Sequence, residues 1–189
     1  MEYMEIIDRI TAENRETLAR VDPREIDRFL EAIMAAKSVQ LCGIGRMKMS
    51  VRGFAMRLKH MGFDSYVVYD TTTPVIGPGD LLIVHAGLSN VELNVMRLAK
   101  DAGAKIALVS AHPDNEHGKL ADVTVKLPGQ IFGAGDEVKS IQPMASLMEQ
   151  ALLLFTDALV LLLVERANVN REVMYGRHTN LEGINADFA

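Results

Sequence analysis

One carboxylate in this chain stands where a carboxylate is expensive. From Pro143 to Arg166 the sequence is apolar nearly all round, with Met144, Leu147, Met148, Ala151 to Phe155 and Ala158 to Val164, and Glu149 falls early in that run. The pattern predicts a buried helix opened by a proline. Water stabilises a charged carboxyl better than apolar surroundings do, so Glu149 must find a cation or hydrogen bonds, or be held partly neutral. A carboxyl held that way can serve as a general base. The structural alternative is a carboxylate that caps the amides of a neighbouring loop. Three and seven residues before it, Ser146 and Gln142 would share its helix face and form a cleft wall.

The other candidates follow strand ends. GIGRMKMS, Gly43 to Ser50, is a glycine turn feeding a helix whose free amides and positive dipole end favour an anion, with Gly45 in the turn and Arg46 and Lys48 as cationic donors. Tight turns also need glycine with no ligand present. A dinucleotide fingerprint fits poorly, because its third glycine would fall at Lys48, although Asp70 stands where a ribose-binding acid could. HAGLSN, His85 to Asn90, offers Gly87 for a turn and Ser89 or Asn90 as a helix cap. Ser110 ends a further strand, before His112 and His117. Those two imidazoles are five apart around Pro113, which is not the spacing of a helical metal pair, so no metal site is expected. His60 comes at the end of a helix pattern, where the helix C-terminus alone accounts for an imidazole. His178 and Glu182 lie in a polar tail of the kind that is disordered or docks on a partner subunit.

The elements that must position these groups follow from periodicity. Two amphipathic helices are expected first, over residues 2 to 20 and then from Pro23, with Asp22 as N-cap and Ile26, Phe29, Leu30 and Ile33 on one face. Short β-rich runs then recur at Val39 to Cys42, Tyr66 to Tyr69, Leu81 to His85, Ile106 to Ser110 and Val123 to Leu127. Helical patterns lie between them at Met47 to Met61 and Val91 to Ala102. Alternation of strand and helix builds a parallel sheet covered on both faces, with ligands outside the carboxyl ends of its strands. Leu127 to Ser140, with Pro128 and three glycines, reads as a mobile loop.

The 189 residues suit one domain: N-terminal helices over 1–37, sheet and loops over 38–140, and a C-terminal helix with its tail over 141–189. A formal charge of −5 without any Lys and Arg run disfavours nucleic acid. Cys42 is the only cysteine and the N-terminus lacks a basic, apolar leader, which fits a reducing cytoplasm. Thr156 and Asp157 are expected to cut the apolar run below the ~20 residues of a membrane span. The apolar area of the helices exceeds what one small core requires, so a homo-oligomer is expected.

Taken together, GIGR followed by FAMRLKHMGF, then TTTP, GKLAD, IQPMASLMEQALLLFTDALV and MYGRHTNLE resemble the 6-phospho-3-hexuloisomerases, members of the sugar isomerase (SIS) domain superfamily, from about Val39 to Glu182. The resemblance implies a flavodoxin- or Rossmann-like three-layer α/β/α sandwich around a five-stranded parallel sheet. It also implies a cofactor- and metal-independent exchange of a 3-hexulose 6-phosphate with fructose 6-phosphate, usually in a tetramer. By the matched motifs, Glu149 corresponds to the family's base and His60 to its histidine, which helps at oxygen or opens a ring and can reach a neighbouring subunit's site. The implied phosphate contacts fall at Gly45, Arg46, Lys48, Gly87, Ser89, Asn90 and Ser110, with His178 from the tail also against substrate. Met47 and Lys48 replace a family serine and glycine, and Ala86 to Val91 replaces a serine-rich S-G-S-G-E-T loop. Either Lys48 compensates for the lost hydroxyls, or this copy isomerises a different sugar derivative or only senses one.

Overall fold

The structure is a computed structural model that describes residues 1–85 and 88–182. Two helices come first, α1 (Tyr3–Ala19) and α2 (Pro23–Ala35). The Asp22 carboxylate accepts the Arg24 N–H at 2.8 Å and Pro23 opens α2, as the sequence predicts. A five-stranded parallel sheet follows, in the order β2-β1-β3-β4-β5, from β1 (Val39–Cys42), β2 (Ser65–Val67), β3 (Leu81–His85), β4 (Lys105–Ser110) and β5 (Val123–Lys126). Helices α3 (Met47–Met61), α4 (Asn90–Asp101) and the short α5 (Glu116–Leu120) make the crossovers. The order reverses between β1 and β3, which opens a crevice at the carboxyl ends of those two strands.

Burial on both faces is written in the strands. Leu41, Ile83, Ala107 and Val109 face α2, α3 and the long C-terminal helix α6 (Ser146–Arg166), while Cys42, Val84, Ile106 and Leu108 face the layer that holds Met96 and Ala99 of α4. Strands apolar on both faces are what a parallel sheet needs, and this is the three-layer α/β architecture the sequence predicts.

Several boundaries differ from expectation. The long apolar helix α6 (Ser146–Arg166) starts three residues after Pro143, because Met144 and Ala145 take positive φ values of 59° and 62°. Gln142 therefore lies outside the helix and shares no face with Glu149; it instead exchanges side-chain amide hydrogen bonds with Gln150 at 2.7 and 3.1 Å. Helix α6 also runs unbroken through Thr156 and Asp157, so it is long and apolar enough to cross a membrane by length and composition, contrary to the sequence expectation. Half of that stretch is buried inside the fold, and Asp157 pairs with Arg57 of α3 at 3.2 Å. Strand β2 stops at Val67, where the Asp70 N–H returns to the Val67 carbonyl and Tyr69 takes φ 73°. Two short elements had too few apolar positions to be seen, α5 and α7 (Arg171–Gly176), as did a 3-10 turn at Asn180–Glu182.

The loop from Leu127 to Ser140 is a loop, but it is tied down. Its organiser is the Glu137 carboxylate, which accepts from His112 Nε2 at 2.6 Å and from the amides of Phe132, Gly133 and Ala134 at 3.3, 2.5 and 3.2 Å. Glu13 of α1 holds its far end through the Ser140 hydroxyl at 2.6 Å and the Ile141 amide at 3.0 Å. Burial pushes the Glu137 carboxyl up, but the His112 and amide hydrogen bonds outweigh it and hold the group below the ordinary carboxylate value. A depressed folded value stabilises the protein above the unfolded carboxyl's pKa, and that stability is lost as pH falls through the folded one. Glu137→Ala, which removes the buried carboxylate that gathers these four donors, should cost about 1–3 kcal/mol at neutral pH. The loss should shrink on acidification below about pH 4, where the wild-type contribution also fades. Urea titrations of both proteins across that range measure it.

Candidate active site

In a parallel sheet the helix after each strand starts at the carboxyl edge, so the turns after β1 and β3 and the start of α6 meet there. The turn after β1 uses glycine twice. At Gly43 a Cβ would lie 2.8 Å from Val51 Cγ2, so glycine lets α3 close on the strand; at Gly45 the backbone has φ 59° in open space. Arg46 follows, and its guanidinium joins two elements. Nε meets Glu149 Oε1 at 2.6 Å, and Nη2 donates to the Met144 carbonyl in the strained turn before α6. The Glu149 side chain is 22% exposed, and its carboxylate is balanced by a cation and by the positive end of α6.

The remaining candidates at this edge have partners of their own. Lys48 Nζ lies 3.8 Å from Asp70 Oδ1, which Arg52 also meets at 3.3 Å. Ser89 caps α4 in a reciprocal box: its Oγ accepts the Glu92 N–H at 3.2 Å, and Glu92 Oε2 accepts the amides of Leu88 and Ser89 at 2.9 and 3.0 Å. Asn90 is exposed at the first position of α4. Ser110 is fully buried, and its Oγ accepts the His112 N–H at 3.1 Å. Gly87 lies outside the described residues.

In the sequence His85 reads only as the end of an apolar strand. It is fully buried at the end of β3, stacked 6.5 Å from Phe54, with Nδ1 3.1 Å from Ser50 Oγ. The Ser50 hydroxyl donates to the Met47 carbonyl at 2.9 Å, so it accepts from His85, and the proton sits on Nδ1. Burial pulls the imidazole down to about 4, so it is neutral at physiological pH. This strut ties β3 to the first turn of α3 across the switch-point crevice. Glu92 does carry a signal in the sequence, because Ser89-x-x-Glu92 is the spacing of a capping box at a helix start.

His60 and His178 are brought together, but not with Glu149. Helix α3 runs from the carboxyl edge to the opposite edge, and fourteen residues separate Arg46 from His60, a rise of about 20 Å. There the two imidazole rings are 5.2 Å apart, beside a cavity of about 490 Å³ lined by Arg52, Lys59, Tyr66 and Arg177. Burial first, then the charges of His178 and Arg57, hold His60 below the ordinary imidazole value. Among the described residues no group of three or more His, Cys, Asp and Glu could hold a metal ion. His112 is paired with Glu137, and His117 Nε2 donates to the Ser89 carbonyl at 3.0 Å.

No family model matches the chain. It is 34% identical over 185 residues to a 3-hexulose-6-phosphate isomerase of Bacillus subtilis strain 168, covering 96% of this chain and 100% of that one. A Mycobacterium gastri protein of the same name is 37% identical over 170 residues, covering 88% and 85%. A Methanococcus jannaschii protein, whose crystal structure infers a molecular function of 3-hexulose-6-phosphate isomerase, superposes with a TM-score of 0.79 at 29% identity, covering 96% and 99%. Identity at this level along nearly the whole length, on the same doubly wound sheet, places the chain in the 3-hexulose-6-phosphate isomerase family of SIS-fold proteins.

Proposed function

We propose that this chain interconverts a 3-hexulose 6-phosphate and fructose 6-phosphate through an enediol, with Glu149 as the base. The observation that carries the reading is the Arg46–Glu149 pair at 2.6 Å, an oriented carboxylate beside the turn after β1 at the switch point. Moving the carbonyl from C2 to C3 requires the C3 proton to leave, a proton to pass from O3 to O2, and a proton to return to C2. A positioned carboxylate can make both carbon transfers, taking the proton from one carbon and giving it to its neighbour. Arg46 fixes the carboxylate's direction, which is what proximity catalysis needs. Gly45, Arg46, Lys48, Ser89 and Asn90, with Gly87, are the proposed surroundings of the sugar phosphate, while the fully buried Ser110 holds the His112 amide beneath them.

His60 enters from a second copy. About 20 Å of α3 separates it from Glu149 in one chain, so an imidazole acting at the sugar oxygens belongs to a neighbouring subunit. A homo-oligomer, most simply a tetramer, is therefore part of the proposal, as is a reducing cytoplasm for a chain whose lone Cys42 thiol is buried and pushed up to about 12.

One observation favours a second reading. Glu92 already occupies the amides of Leu88 and Ser89, where a serine-rich phosphate loop would offer free donors. A carboxylate at that spot suits a ligand other than a phosphate dianion, which would make this copy a sensor or the isomerase of another sugar derivative. A coupled assay over hexulose and pentulose phosphates separates the two; no turnover of any of them would overturn the first.

Three outcomes are expected. Glu149→Gln should keep the fold and ligand affinity while kcat falls by about 10²–10⁴, since the amide cannot take a carbon-bound proton. Arg46→Met should lower kcat/KM by roughly tenfold or more, because it frees the carboxylate and leaves the strained Met144 turn without its donor. Mixing inactive Glu149→Gln and His60→Asn proteins under conditions of subunit exchange should restore activity, since some mixed sites hold both intact groups. No recovery despite exchange shown by mass spectrometry, or sedimentation as a 20.8 kDa monomer, would refute the shared site.

A further inference from the structure

The C-terminal segment closes on the far end of α3. Helix α7 packs beside α3, and the chain then reaches Arg177, whose Nη1 donates to the His60 carbonyl at 3.2 Å. The last carbonyls of a helix lack intrahelical donors and carry the negative end of its dipole, so a guanidinium is a suitable partner. The fit is close. A Cβ at Gly62 would lie 2.7 Å from Arg177 Nη1 and 2.9 Å from Cζ, and Gly62 has φ 100°; one glycine both ends α3 and makes room for the arginine. The next residue, His178, lays its ring 5.2 Å from that of His60 with the planes tilted 40°. Arg177 was not among the residues the sequence singled out, because an arginine in a polar tail looks solvated until the tail is folded.

We propose that Arg177 is a positioning residue: it fastens the tail to the end of α3, so that His178 covers one side of the His60 ring and sets its orientation and contact with water. The proposal rests on the reading of His60 as the group delivered to a second copy's site. A free imidazole at a helix end would sample several rotamers, whereas one backed by a second ring presents one edge outward. The charged groups around it are named by the packing. Arg52, Arg57 and Lys59 come from α3, Arg177 and His178 from the tail, Asp70 from the turn after β2, and Asp64 from the turn into β2, where Lys59 and the Tyr66 hydroxyl hold it at 2.6 and 2.9 Å. Loosening the tail gives His60 back its water and removes His178, and both changes raise its affinity for a proton.

The test is an NMR titration of the His60 ring in the full chain, for wild type, Arg177→Ala, Arg177→Lys and His178→Ala, beside the pH dependence of kcat/KM. Arg177→Ala should move the His60 midpoint to higher pH and lower kcat/KM by about tenfold, with the acidic limb displaced in the same direction. Arg177→Lys, which keeps a cation at the carbonyl, should restore most of both. His178→Ala should reproduce the midpoint shift with Arg177 still in place. If Arg177→Ala is less stable to heat but titrates His60 and turns over as wild type does, Arg177 is a helix cap and the proposal falls. If the midpoints move as stated in a protein with no isomerase activity, the latch stands and the functional reading is the one that fails.

Discussion

A parallel sheet forces every crossover to begin at one edge and end at the other, and the rest of this molecule depends on that constraint. Strand β1 delivers Arg46 to the carboxyl edge, and α3 must then carry the chain back across the sheet before β2 can start. The helix that begins beside Glu149 therefore ends at His60, about 20 Å away. Neither residue can be moved toward the other without undoing the strand order. Under the proposed function, the two ends of α3 therefore serve different sites, and a second copy is what brings the two groups together.

At the carboxyl edge, cost and use coincide. A carboxylate on an apolar helix needs a cation, and a backbone turn held at positive φ through Met144 and Ala145 needs a reason to stay there. One guanidinium supplies both, through Nε to Glu149 and Nη2 to the Met144 carbonyl. The buried His85–Ser50–Met47 chain braces the same region from beneath, joining the central strand to the first turn of α3. Glu137 does for the glycine-rich loop what Arg46 does for α6, gathering the amides of three successive residues onto one carboxylate. Rigid positioning here comes from side chains that satisfy backbone groups, since the loops contain little regular structure.

The sequence by itself determined the architecture. Strands apolar on both faces, helices with one apolar stripe, Asp22 with Pro23, and the glycine turn from Gly43 are local signals whose physical cause acts within a few residues, and they settle into the same elements in the fold. Glu149 was legible for the same reason: a charge in an apolar run is anomalous wherever the helix ends up. Tertiary structure alone decided the rest. That Glu149 meets Arg46 across 103 residues, that Gln142 leaves the helix, and that Asp70 draws Lys48 and Arg52 all depend on which groups the topology brings within hydrogen-bond reach. The separation of His60 from Glu149 was out of sight as well, since two motifs can both be right while spacing along the chain says nothing of which edge of the sheet each will occupy.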